Sequence, residues 1–211
     1  MKQAVISLVL ILSASIVYGS FSNSESEPFS FPKKKKRTAF QQGQITAHLG
    51  MGFLVKSNYK DANYEFYGST EYKKKLPFNM MFDYGVASVV SLGLYVGFYG
   101  EDVTITDKTN PNNVYGFQHK FKVFALRTTY HQPLEGKLDP FATLNIGFNA
   151  CKAKDLKIAG GYNYLEPYKS GFAWSIHAGA NYYFSDNVGA YLEVGYGTWI
   201  PIINLGATVK I

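Results

Sequence analysis

Residues 202–211 read Ile-Ile-Asn-Leu-Gly-Ala-Thr-Val-Lys-Ile, and their alternation decides the fold. Ile203, Leu205, Ala207, Val209 and Ile211 share one face, while Asn204, Gly206, Thr208 and Lys210 share the other. Successive side chains on a strand point to opposite sides, so this strand is apolar on one face and polar on the other. About ten residues with that pattern, in a chain that opens like an exported protein, predict a transmembrane β-barrel.

The same alternation recurs upstream in segment after segment, separated by clusters of Gly, Asn, Asp, Pro and Lys, and no segment repeats at 3.6 residues. Strand one is expected over about 44–55, with Ile45, Ala47, Leu49, Met51 and Phe53 opposite Thr46, His48, Gly50 and Gly52. A Tyr- and Lys-rich loop follows. Strand two sets Phe78, Met80, Phe82, Tyr84 and Val86 against Asn79, Met81, Asp83, Gly85 and Ala87. Strand three sets Leu92, Leu94, Val96 and Phe98 against Ser91, Gly93, Tyr95 and Gly97. Strand four, over about 116–131, is irregular in its first half, which suggests a bulge; its second half opposes Phe124, Leu126, Thr128 and Tyr130 to Ala125, Arg127, Thr129 and His131. Strands five, six and seven fall near 142–149, 172–183 and 188–196, and 202–211 is the eighth. Connections after strands two, four and six are short; those after one, three and five are long. That is the asymmetry of an outer-membrane barrel with both termini on the periplasmic side, and the brief last loop at 197–201 is its exception.

Residues 1–19 read as a signal peptide, with Lys2 at the start, an uncharged apolar stretch over 4–17 and small residues before a cleavage point after Gly19. The stretch is shorter than the roughly 20 apolar residues of a membrane-spanning helix. Residues 20–43, rich in Ser, Glu, Pro, Lys and Gln, read as a flexible periplasmic leader, and 44–211 as the barrel. The chain carries 21 Lys and Arg against 15 Asp and Glu, but the excess gathers in runs at 33–37 and 73–75. Behind a signal peptide the first run reads as solvated charge in the leader, or else as a weak contact with anionic lipid headgroups or cell-wall polymer, rather than as a nuclear signal, so no nucleic-acid partner is expected. The single Cys151 excludes an intramolecular disulfide and reads as an incidental residue near a loop.

The composition of the polar face decides which side is inside. A soluble surface is about 25–35% charged, whereas here the polar positions are mostly Gly, Asn, Ser, Thr, His and Tyr, with Asp83, Arg127, Glu193 and Lys210 the clear charges. Such a face suits a hydrogen-bonded lumen, with the apolar face toward lipid. The alternative, a secreted, soluble, lipocalin-like barrel that binds a small ligand, would put the polar face in water. On the apolar register, Tyr84, Tyr130 and Tyr182 fall near one end of their strands and Phe98, Phe148, Trp174 and Tyr196 near the other, as two aromatic girdles would.

Asp83-Tyr84-Gly85-Val86, Arg127-Thr128-Thr129-Tyr130-His131 and the stretch from Asn187-Val188-Gly189-Ala190 to Ile211 resemble the small bacterial outer-membrane β-barrel domain proteins called "porin family", of the eight-stranded type. The resemblance covers about 44–211 and departs from the usual pattern at the last residue, Ile211, where those proteins end on an aromatic. It implies an all-β, eight-stranded, antiparallel, up-and-down transmembrane β-barrel in the bacterial outer membrane. Its implied partners are outer-membrane lipids and the barrel-assembly machinery, with an unknown extracellular ligand at the outer loops and a monomeric state.

Eight strands enclose too narrow a space for a wide channel, because side chains fill it. Asp83, Arg127 and Glu193 are expected to pair as a charge network in the lumen, since an isolated charge there is expensive. Some barrels that this chain resembles are lipid-modifying enzymes with Ser, His and a carboxylate near the outer rim. Ser175 and His177 lie two apart on one face, and His48 and His119 lie elsewhere, but no nucleophile motif surrounds Ser175. No metal-ligand spacing, phosphate loop or nucleotide motif occurs, so neither enzyme nor cofactor is expected. The expected role is structural or surface interaction. The register further predicts that Leu144→Arg and Val194→Arg are severe, and that Asn145→Ala and Gly195→Ala, one residue along, are milder.

Overall fold

The computed structural model describes residues 38–56, 68–159 and 168–211. The segment read as a signal peptide, and the leader as far as residue 37, lie outside the described residues. The described chain forms β1 (Ile45–Val55), β2 (Gly68–Lys74), β3 (Phe78–Gly85), β4 (Val90–Asp107), β5 (Val114–His131), β6 (Leu138–Ala159), β7 (Gly171–Tyr183), β8 (Val188–Thr198) and β9 (Pro201–Lys210).

All pairings are antiparallel. The order runs β2-β4-β3-β1-β9-β8-β7-β6-β5, and β4 pairs with β5 to close the ring. β3 pairs with the first half of β4 (Tyr84↔Leu92 to Phe78↔Phe98), and β2 with its second half (Lys74↔Glu101 to Gly68↔Asp107). The two are pieces of one stave, interrupted where Pro77 has no N–H to give the ladder. The result is a closed eight-stranded antiparallel barrel.

Two expectations change. The Tyr- and Lys-rich loop after the first strand includes β2, and the long hairpins owe much of their length to paired strand. β4 and β5 continue to Asp107 and Val114, leaving a turn at 108–113 in which Asp107 Oδ1 accepts from Thr109 N at 2.6 Å. β6 runs on to Ala159, so Cys151 lies within a strand, partly buried against the upper core.

Along β4, β5 and β6 the apolar residues change sides. In the lower part of β4, Leu92 and Leu94 face out, 50% and 53% exposed, and Tyr95 faces in. Beyond Gly100 the outward positions are Asp102, Thr104 and Thr106, while Val103 and Ile105 are buried inside. In β5, Phe124 and Leu126 face out below, but Phe117, Phe121 and Val123 face in above, with Lys120 and Lys122 outside. This reversal accounts for the irregular first half of strand four. The one register shift, between Val114 and Tyr115, is at its far end. Below the reversal the barrel wears an apolar belt, and among the described residues no outward position between its two aromatic ends is charged.

Both ends of the lumen are covered. At the short-turn end, residues 38–43 cross the opening instead of trailing away as leader. Thr38 bridges Glu135, Gly43 N donates to Gly85 O at 2.8 Å, and Ala39 and Phe40 are buried. Gly43 turns the chain into β1 at φ +81°, a conformation that suits glycine, and a Cβ on Gly85 would stand 2.6 Å from Gln41 O. At the other end the two-residue turn between β8 and β9 folds inward, with Trp199 at φ 64° and both Trp199 and Ile200 buried. Trp199 packs on Phe121 with ring centroids 5.4 Å apart, a burial that offsets the strain of a non-glycine residue in the left-handed region.

The inward positions also correct the mild-substitution expectation. A Cβ at Gly195 would lie 2.1 Å from Ile176 O and 2.5 Å from the His177 ring, so Gly195→Ala forces backbone apart. Asn145 is fully buried and donates to Ser175 Oγ at 3.0 Å. Neither is a benign control.

Candidate functional site

The lower lumen is a continuous polar chain. Arg127, 1% exposed, donates from Nε to Asp83 Oδ2 at 3.2 Å and from Nη2 to Glu193 Oε1. Asp83 also lies 3.7 Å from His48 Nδ1. His48 Nε2 meets Asn181 Oδ1 at 3.1 Å, and Asn181 Nδ2 donates to Asp139 Oδ2 at 2.9 Å. Asp139 Oδ1 accepts from His131 Nδ1 at 2.9 Å, which leaves His131 Nε2 to accept from Ser91 Oγ at 3.0 Å. Asp83, Arg127 and Glu193, singled out in the sequence, are thus brought together. The links from His48 through Asn181, Asp139 and His131 to Ser91 were not expected from the sequence. His48 and Asn181 are 133 residues apart, a separation that no local pattern encodes.

Ser91, His131 and Asp139 have the connectivity of a catalytic triad. The surroundings argue against catalysis. Ser91 is fully buried, and Phe40 lies flat on His131, rings 3.6 Å apart and 1° from parallel. At Ser91 the strand β4 is paired on both sides, to Gly85 and Thr129, so its N–H groups serve the ladder and offer no oxyanion site. The trio ties strands together. Replacing Phe40 by Leu keeps an apolar side chain but removes the stack. It should cost about 0.5–1.5 kcal/mol and speed amide exchange at Gly43, and unchanged exchange there would remove the strap from this account.

Ser175 and His177 do not form a pair: Ser175 accepts from Asn145, and His177 Nε2 donates to Pro201 O at 2.8 Å. Higher up, Tyr191 Oη donates to Asn79 Oδ1 at 2.7 Å and Asn79 Nδ2 donates to Asn204 Oδ1 at 2.8 Å, below an apolar core that includes Phe121, Tyr168 and Trp199. Among the described residues no group of His, Cys, Asp and Glu could hold a metal ion.

His119 stands above the belt and accepts from Tyr168 N at 3.2 Å through Nε2, which requires a neutral ring. Burial lowers its pKa below the ordinary 6.5. The closed form therefore resists a proton that an open form accepts, and the contribution present above 6.5 is lost as pH falls toward the lowered value. The protection factor of the Tyr168 amide, its exchange relative to the intrinsic rate at each pH, should fall between about pH 8 and about pH 5, and His119→Phe should abolish that fall. An unchanged profile in that variant would contradict it.

Of the aromatic positions expected at the two ends, Tyr84 and Tyr182 are 52% and 51% exposed near the short turns, with Tyr130 partly buried beside them. Phe148 and Tyr196 are 51% and 44% exposed toward the other end. Phe98 pairs with Phe78 there, and Trp174 packs edge-on to Tyr196 at 6.1 Å.

The chain matches no protein-family model and no curated protein. Among solved structures it is similar to the outer membrane protein OprG from Pseudomonas aeruginosa, 11% identical over 81% of this chain and 97% of that one, with a TM-score of 0.52. It is also similar to the N-terminal β-barrel domain of Pseudomonas aeruginosa OprF, 15% identical over 81% of this chain and 98% of that one, with a TM-score of 0.45. The likeness to OprG is one of fold, a closed eight-stranded antiparallel barrel.

Proposed function

We propose that this chain is an integral β-barrel protein of a bacterial outer membrane. Its lumen is closed, without a wide pore, and it serves a structural or surface-interaction role through the hairpins that project above the belt. The reversal of the apolar face along β4, β5 and β6 carries this reading. A barrel in water throughout has no reason to turn Leu94 and Leu126 out while turning Val103 and Phe121 in on the same strands. A barrel that crosses hydrocarbon and then enters water does. The belt has the right height: from Ile203 to Ile211 is eight residue steps, which at about 3.3 Å each and a tilt of about 40° spans ~20 Å, close to the apolar band of such barrels.

On this reading residues 1–19 direct export, the short turns lie in the periplasm, and outer-membrane lipids and the barrel-assembly machinery are its partners. The barrel is monomeric, and the projecting hairpins meet any extracellular ligand. The lipocalin-like alternative needs a polar exterior, and the exposed Leu126 and Phe172, at 69% and 61%, oppose it. The enzyme alternative named Ser175 and His177, which are buried and bonded to other groups, so they lend it no support. The mature chain should fractionate with outer membranes and resist carbonate and urea. Recovery as a soluble monomer from periplasm or medium would overturn the reading.

A further inference from the structure

The outward faces of β5 and β6 carry four lysines just above the belt: Lys120, Lys122, Lys152 and Lys154, all exposed. Lys120 and Lys152 are direct cross-strand partners, and Lys122 and Lys154 flank them diagonally. Like charges directly opposite on a sheet destabilise it. The repulsion is sharper beside a low-dielectric belt than in open water. None of the four has a carboxylate within ion-pair distance among the described residues, and Asp155, adjacent in sequence to Lys154, lies on the opposite face of β6. The neighbouring sector is different. Lys73, Lys74 and Lys75 lie 3.4, 3.8 and 3.5 Å from Glu71, Glu101 and Asp102. One stretch of the rim is neutralised within the fold and the next is left bare.

The height of the bare stretch indicates what neutralises it. Phe124 and Phe148 are cross-strand partners, both 51% exposed at the top of the belt, and Lys122 is the next outward residue above Phe124. Two residues along a tilted strand raise Lys122 by about 5 Å, and Lys120 and Lys152, four residues beyond Phe124 and Phe148, stand about 10 Å above them. Those heights run from the edge of the hydrocarbon through the headgroup layer, where clustered lysines meet anionic lipid, with Lys154 the next outward residue beyond Lys152. We propose that Lys120, Lys122, Lys152 and Lys154 form a binding site for the phosphate groups of anionic lipids in the leaflet facing this rim. The inference rests on the membrane reading given above.

The test uses the refolded chain in vesicles of phosphatidylcholine alone, or with phosphatidylglycerol added, following the heat-induced gel shift of the barrel. Phosphatidylglycerol should raise the unfolding temperature of the unaltered protein by about 4 °C or more. The variant with Lys120, Lys122, Lys152 and Lys154 all changed to Gln should gain nothing, yet in phosphatidylcholine alone it should melt no lower than the parent. Changing Lys73, Lys74 and Lys75 to Gln should leave the gain intact. An equal loss in that second variant, or no gain in the parent, would overturn the site. So would inorganic phosphate reproducing the gain in phosphatidylcholine. Failure to float with phosphatidylcholine vesicles removes the membrane reading and this site with it, whereas flotation without the gain removes the site alone.

Discussion

Arg127→Ala should destabilise the folded barrel by about 3–5 kcal/mol, because it leaves two carboxylates buried without their cation. Asp83 and Glu193 are 4% and 1% exposed, and both are hydrogen-bonded to the one guanidinium. Replacing all three, as Arg127→Met with Asp83→Asn and Glu193→Gln, should recover much of the loss, since the desolvation cost leaves with the charges. Asp83→Asn alone should cost less than Arg127→Ala, because Arg127 keeps Glu193. Reversible urea titration in lipid or detergent supplies the values. The single losses should fail to add by about 0.5–3 kcal/mol. Additive losses for Arg127 with both partners would mean that the three act separately.

The fold was legible where a solvent boundary runs the length of a strand. In residues 202–211 Asn204 and Thr208 are fully buried while Leu205 and Val209 are 39% and 38% exposed, so the period of two identifies the faces directly. It was illegible where the boundary changes along the strand. Above Gly100 both sides of the wall meet different neighbours than below, and the pattern shifts by one residue without any change in backbone, which mimics a bulge. β2 was missed for a related reason: Gly-Ser-Thr-Glu-Tyr-Lys-Lys has no apolar face to show, because its place is set by backbone pairing to β4.

The candidate site was half legible on the same terms. A charge on an inward face that otherwise carries none is conspicuous, so Asp83, Arg127 and Glu193 stood out singly, and pairing followed from the cost of leaving them apart. His131 and Asp139 lie on adjacent strands near a turn, and Phe40 sits in a stretch whose composition is that of a linker. One ring stacked on a histidine leaves no trace in composition. The strap had no signal that sequence reasoning could have used.

The belt makes the second large prediction. Leu126 is 69% exposed and pairs with Leu94 and Ile146, both also outward, at mid-height. An arginine there must reach water past apolar neighbours on every side. Leu126→Arg should cost about 2–4 kcal/mol in a bilayer, and Val194→Arg, at a similar height on β8, the same. Thr104→Arg serves as the comparison, because Thr104 is outward on β4 above the reversal. It should stay within about 0.5 kcal/mol, as a surface change in water does. Two further contrasts sharpen the reading. Val103→Arg, one residue from Thr104 but buried, should be severe, as should Leu126→Arg, whereas Lys122→Leu, just above the belt, should be tolerated. Urea titration of refolded barrels in phosphatidylcholine alone gives all five values. Equal tolerance of Leu126→Arg and Thr104→Arg would mean that the medium outside the barrel does not change along β4 and β5, and the membrane assignment would fall with that reversal.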